Sequence, residues 1–149
     1  MMSNQTDRLI PEELQTGTFS GKGLFSFGDE NRAYADYFTG TSYLALLNIP
    51  GIIVANVTFE PGCRNFWHIH HKGGHVLLVT GGRGWYQEDG QPARELHPGD
   101  VVHIAPETQH WHGAAKGSWF SHVAIEIPAE GSSNEWIREV SDEEYNLLK

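Results

Sequence analysis

GCRNFWHIHHKGGHVLLVTGG, residues 62–82, reads as a strand, a turn and a second strand. Residues 65–70 are an aromatic and β-branched run, 71–74 are turn chemistry, and 75–82 are apolar again. In a strand, residues i and i+2 share a face and lie about 6.6 Å apart along it. His68 and His70 therefore point one way, Trp67 and Ile69 the other, and His71 falls outside in the turn. The turn reverses the chain, so His75 opens the next strand beside the first pair and offers a third imidazole to the same point.

Working outward, the same texture recurs on both sides. Runs at 37–47, 52–60, 65–70, 75–88, 93–97, 100–106, 110–115 and 118–128 are short and rich in β-branched and aromatic residues. NIPG, EPG, HKGG, DGQP, HPGD, PETQ and AKG separate them. Eight strands at such spacing predict an all-β protein, an antiparallel barrel or jelly roll, over residues 33–130. Residues 1–32 lack a sustained period and read as an N-terminal arm with one short strand at LFSF, 24–27. Residues 131–149 read as a C-terminal segment. Ser141 and Glu144 form a capping box before a short helix, and Trp136 and Ile137 anchor the approach to it.

The bulk properties agree with one barrel. A chain of 149 residues is one domain in size, and its 17 Gly, 7 Pro and 17 aromatic residues suit turn-rich β structure better than a helical bundle. The net charge is −9 with no Lys/Arg cluster, which excludes nucleic acid and anionic membranes as expected partners. A single cysteine, Cys63, cannot form an intramolecular disulfide and reads as a buried, inert thiol. The start of the chain lacks the basic and apolar stretches of a secretory signal, and no apolar run of membrane-spanning length occurs, so a cytoplasmic protein is expected.

A fourth imidazole must come from a distant strand. His110 and His112 share a face of the run after the Pro106 turn, and a barrel can bring that run across from His68 and His70. Neutral imidazole is the commonest metal ligand, so His68, His70, His75 and His110 are the expected ligands of one divalent ion. Singly, each is as readily a surface or stacking histidine; together they are not. His97 and His71 stay with the surface reading, and His103 faces either the barrel or the outside.

These residues resemble the cupin family. Its first motif runs Gly, five residues, His-x-His, three or four residues, Glu, six residues, Gly. Here Gly62, His68, His70 and Gly82 fit, with His75 at the Glu position. The second motif is met by Gly99, Pro106 and His110, with Thr108 where Gly is usual and Ala114 where Asn is usual. The likeness covers about residues 37–128 and implies a cupin barrel with the metal inside, in a homodimer. VTFEPG, WHIH, HWHGAA and SHVAIE are similar to small carboxymuconolactone decarboxylase-related cupins, some of which are manganese-dependent hydroxynitrile lyases. In those lyases Gln stands at the positions of His75, after a tighter turn, and of Glu126.

Four imidazoles bring no negative charge, so an ion's full charge acts on what it binds, which favours Lewis-acid chemistry. Manganese is the metal that the resemblance implies, with iron, zinc or nickel as alternatives. Alternation picks out more inward residues. His112 reads as a general acid or base, or as packing on Trp111 or Trp119. His122 and Glu126 read as a proton-relaying pair, or as hydrogen-bond partners that fix a ligand's tautomer. Ala55, Val57, Phe59, Phe66 and Ala124 would wall a partly apolar pocket for a small-molecule substrate. Three functions follow: a lyase acting on a small carbonyl or hydroxyl compound, an all-His dioxygenase of enols or diketones, and a metal- or ligand-binding protein without turnover.

Overall fold

The computed structural model describes residues 19–149. Residues 1–18, which hold most of the expected arm and the stretch read as lacking a secretory signal, lie outside the described residues. Thirteen strand segments follow in order: β1 (Asp29–Glu30), β2 (Phe38–Thr39), β3 (Ser42–Leu46), β4 (Ile53–Phe59), β5 (Arg64–Asn65), β6 (Trp67–His71), β7 (His75–Gly82), β8 (Gly84–Glu88), β9 (Arg94–Leu96), β10 (Val101–Ile104), β11 (His110–Ala114), β12 (Phe120–Glu126) and β13 (Ser133–Arg138). A 3-10 turn at Ala35–Tyr37 precedes β2, and helix α1 (Asp142–Asn146) closes the chain.

All the pairings are antiparallel. One sheet runs β1-β3-β4-β12-β7-β10, and the other runs β13-β6-β11-β5-β2, with β8 on the free side of β11 and β9 beyond it. Sequential runs thus alternate between two sheets, as in a jelly roll. Phe59, Leu77, Leu96, Ile104 and Phe120 lie between the sheets with no exposed surface, each such burial stabilising by about 1.5–3 kcal/mol.

The chain changes sheets at Gly82. The expected single run 75–88 is therefore two strands, β7 and β8, in different sheets. Gly82 has φ 74°, and a Cβ there would meet the Trp119 carbonyl oxygen at 1.7 Å, so only glycine permits the crossing. The LFSF expectation fails: 24–27 is irregular, and the strand is Asp29–Glu30, pairing with β3.

The last segment does more than carry a helix. The capping box forms as expected, with Ser141 Oγ accepting from the Glu144 amide. Beyond that, β13 adds to β6 along the histidine strand, setting Asn134 opposite His70 and Trp136 opposite His68. Past β13, Tyr145 and Val140 pack with Trp67, Trp85 and Trp111 on the outer face of the same sheet. That cover is why every residue of β11 is buried. Among the described residues no helix is long and apolar enough to cross a membrane.

Candidate metal centre

Three of the expected ligands meet. His68 and His70 come from β6 and His110 from β11, where it pairs with His68. Each of these offers a ring nitrogen within 4.8 Å of one from the other two, and all three are buried. Their Nδ1 atoms are already engaged: His68 with the Phe66 carbonyl at 2.6 Å, His110 with the Thr108 carbonyl at 2.8 Å, and His70 with Asn134 Oδ1 at 2.7 Å. An oxygen can only accept, so each Nδ1 carries the proton and each Nε2 keeps its lone pair.

The donor set fits a borderline divalent cation. His110 Nε2 is buried without a partner, a state that costs free energy unless something binds it. Burial and the neighbouring imidazoles hold His68 well below the ordinary histidine range, and burial lowers His70. His110 is pushed down to about 4, chiefly by burial. All three are neutral at pH 7, the form a metal needs.

His75 sits apart from that triad. Its ring stacks on His70 at 3.8 Å between centroids and 4° between planes. Its Nε2 is also buried and unpartnered, and burial takes its pKa down to about 3. Two glycines make the approach possible: a Cβ at Gly73 would meet the Ile127 carbonyl oxygen at 2.2 Å, and one at Gly74, where φ is 87°, the Ile104 carbonyl oxygen at 2.5 Å.

Beyond the triad lie His112 and His122, both buried, with centroids 4.9 Å apart. The ring neighbours of His112 are Phe59, stacked at 5.5 Å, His122 and, at 6.4 Å, His68; Trp111 faces the outer cluster instead. Asn65 holds His112 in place. Its Oδ1 accepts from the His112 amide at 2.9 Å, which turns its NH2 toward the His112 ring, 3.2 Å from Nδ1 and 3.4 Å from Nε2. Burial drives His112 well below its ordinary pKa and His122 down to about 3. Neither His122 nitrogen has a partner among the described residues, so His122 and Glu126 form no hydrogen-bonded pair. Glu126 stands further along β12, opposite His75.

Ala55, Val57 and Phe59 are buried between the sheets, and Ala124 packs against them. Phe66 is not part of that wall. It falls between β5 and β6, where Gly113 pairs with Arg64 but His110 with His68, so one extra residue shifts the alternation. Asn65 takes the inward place, and Phe66 sits edge-on to Tyr37. His103 and His97 are exposed. His71 lies outside as expected, between Glu107 and Glu135 at 2.5 and 2.8 Å, and these carboxylates, Glu135 foremost, raise its pKa. Cys63 is buried, and burial pushes its thiol up to about 12.

Asn65 and Asn134 escape a sequence reading. Neither belongs to a metal-ligand pattern, and only the register of β5 and β13 brings them to the histidines.

The cupin domain model matches residues 55–121. The (R)-mandelonitrile lyase of Granulicella tundricola is 44% identical over 115 residues, covering 74% of this chain and 87% of the relative. The chain belongs to the cupin family. A cupin-like protein from Thermotoga maritima, solved by crystallography, superposes with a TM-score of 0.77 at 40% identity, covering 85% of this cupin and 96% of that chain. A cupin-2 domain protein from Rhodospirillum rubrum shares the fold alone, with a TM-score of 0.62 at 17% identity over 87% of this chain and 86% of its own.

Proposed function

We propose that this cupin is a metal-dependent lyase that cleaves small, partly hydrophobic cyanohydrins to a carbonyl compound and hydrogen cyanide, and forms them in reverse. The observation that carries the reading is the triad His68, His70 and His110 with all three Nδ1 atoms capped by oxygen acceptors. The 44% identity to a mandelonitrile lyase supplies the reaction class. His75, stacked on His70 beside the triad, would complete the set as a fourth imidazole. A divalent ion bound there would supply Lewis-acid polarisation of the substrate oxygen.

The chain's own groups handle the proton. The hydroxyl of the substrate loses a proton, its oxygen becomes the carbonyl, and the carbon–carbon electron pair leaves with cyanide, which must take up a proton. His122 keeps a free lone pair to accept from the hydroxyl, and the protonated ring then donates to cyanide. His112, held in place by Asn65, orients the substrate through its ring.

Mandelonitrile cleavage, followed by benzaldehyde release with the protein metal-loaded, chelator-stripped and reloaded, tests this. Release without oxygen, lost on stripping and restored by metal, is expected. Oxygen uptake on a diketone without cyanohydrin cleavage would establish the dioxygenase instead. Tight binding of small carbonyl compounds with no turnover would leave a binding protein.

A further inference from the structure

At the mouth of the barrel, three strands place one residue each in a single cross-strand row. Ile53 pairs with Glu126, Glu126 pairs with His75, and the His75 ring stacks on His70. Adjacent strands are about 4.7–4.9 Å apart, so the row spans about 10 Å from Ile53 to His75. Two cavities open along it. The one that touches His70 and His75 has a volume of about 10 Å³, room for one water-sized group. The other is a cleft of about 400 Å³ walled by Ile52, Ile53, Pro128 and Ala129. Glu126 and Ser132 line both.

We infer that the cleft over Ile52, Ile53, Pro128 and Ala129 is the subsite for the apolar body of the substrate, an aryl or branched alkyl group, whose hydroxyl-bearing carbon lies past Glu126 at the histidines. The inference rests on the lyase reading for the identity of the reacting end. The cleft has the size of small-ligand sites, which run to about 300–1,000 Å³. Its apolar walls and its polar inner end, Glu126 and Ser132, sort an amphipathic molecule by direction. The apolar part stays between the isoleucines and the alanine, and the hydroxyl end points inward past Glu126 and Ser132. The row then continues from Glu126 through His75 to His70, so the inner end of the cleft faces toward the triad. Ile53, at the start of β4 on the same face as Ala55, Val57 and Phe59, is 55% exposed at the mouth and open to the cleft.

The test is an amide NMR titration of the full chain, metal-free and zinc-loaded, with benzyl alcohol as probe. Shifts should concentrate at Gly51, Ile53 and Ala129. Ile53→Trp, which fills the cleft, should raise the Kd at least fivefold. Ile53→Ala, which removes a wall without crowding the fold, should also raise it. Val101→Trp, at a 57% exposed position on the outer face of β10, should leave it within twofold. Shifts confined elsewhere, or equal Kd changes in Ile53→Trp and Val101→Trp, would overturn the assignment. In turnover, the kcat/KM ratio of mandelonitrile to acetone cyanohydrin should fall at least tenfold in Ile53→Trp, and an unchanged ratio counts against the subsite. If the wild-type protein cleaves neither cyanohydrin, the lyase reading fails, while the benzyl alcohol titration still decides the cleft.

Discussion

His70 Nδ1 donates to Asn134 Oδ1 at 2.7 Å, joining the histidine strand β6 to β13, which follows it by more than sixty residues. The contact fixes the His70 tautomer and ring angle from an exposed residue that packs no core. Partners of this kind are worth about 10–100-fold in metal affinity. Asn134→Leu should therefore weaken metal binding by about that factor with little change in Tm, whereas Asn134→Asp, which still accepts, should retain affinity. A metal titration of the three proteins checks this; equal affinities would show that β13 does not orient the ligand.

His75 stacks on His70 with its Nε2 buried and unpartnered. Its replacement by Ala should lower metal affinity at least tenfold while leaving a site that still fills at high metal concentration, because the triad remains. Replacement of His110 should abolish uptake. Unchanged stoichiometry and affinity in His75→Ala would remove it from the ligand set.

Acid should destabilise the metal-free protein in a defined window. Burial places His75 and His122 at about 3 and His110 at about 4, against about 6.5 in the unfolded chain. Between those values the unfolded state binds protons that the folded state refuses, so stability falls as pH drops from about 6.5 toward 3 and is constant from these groups above it. His71 acts oppositely, its raised pKa adding stability at low pH that is lost as pH rises through the folded value. It is too exposed to offset the buried set. Thermal melts in chelator at pH 7, 6, 5 and 4 should show Tm falling throughout; a flat profile would mean that the buried rings have other partners in solution.

Tyr145 ties α1 to the strand that carries His110. Its hydroxyl donates to the Ala114 carbonyl at 2.5 Å, and the Arg64 guanidinium lies 4.2 Å from its ring centre. Tyr145→Phe should cost about 1 kcal/mol and Tyr145→Ala about 3–5 kcal/mol. Denaturant unfolding measures both. Equal, small losses would show that the helix is not needed to cover β11.

Much of this was legible from spacing. The i, i+2 pair at His68 and His70, the HKGG turn and the Pro106 turn before His110 are local signals, and the barrel joins them as alternation requires. What escaped was non-local. SNEWIR carries no apolar alternation, because β13 is a largely exposed strand whose pairing is with β6. One extra residue near Phe66 inverted the expected faces and moved Asn65 inward. LFSF looks like a strand by composition but packs as irregular chain, with Phe27 against Tyr43 and Trp119.

We propose that His68, His70 and His110 hold one divalent ion in this barrel. Elemental analysis of the wild-type protein, His110→Ala and the exposed-site control His103→Ala, each saturated with manganese, zinc or iron and desalted, tests it most directly. About one ion per chain is expected in the wild type and the control, and none in His110→Ala. A wild-type protein that retains no metal, or a His110→Ala protein that retains as much, would contradict it.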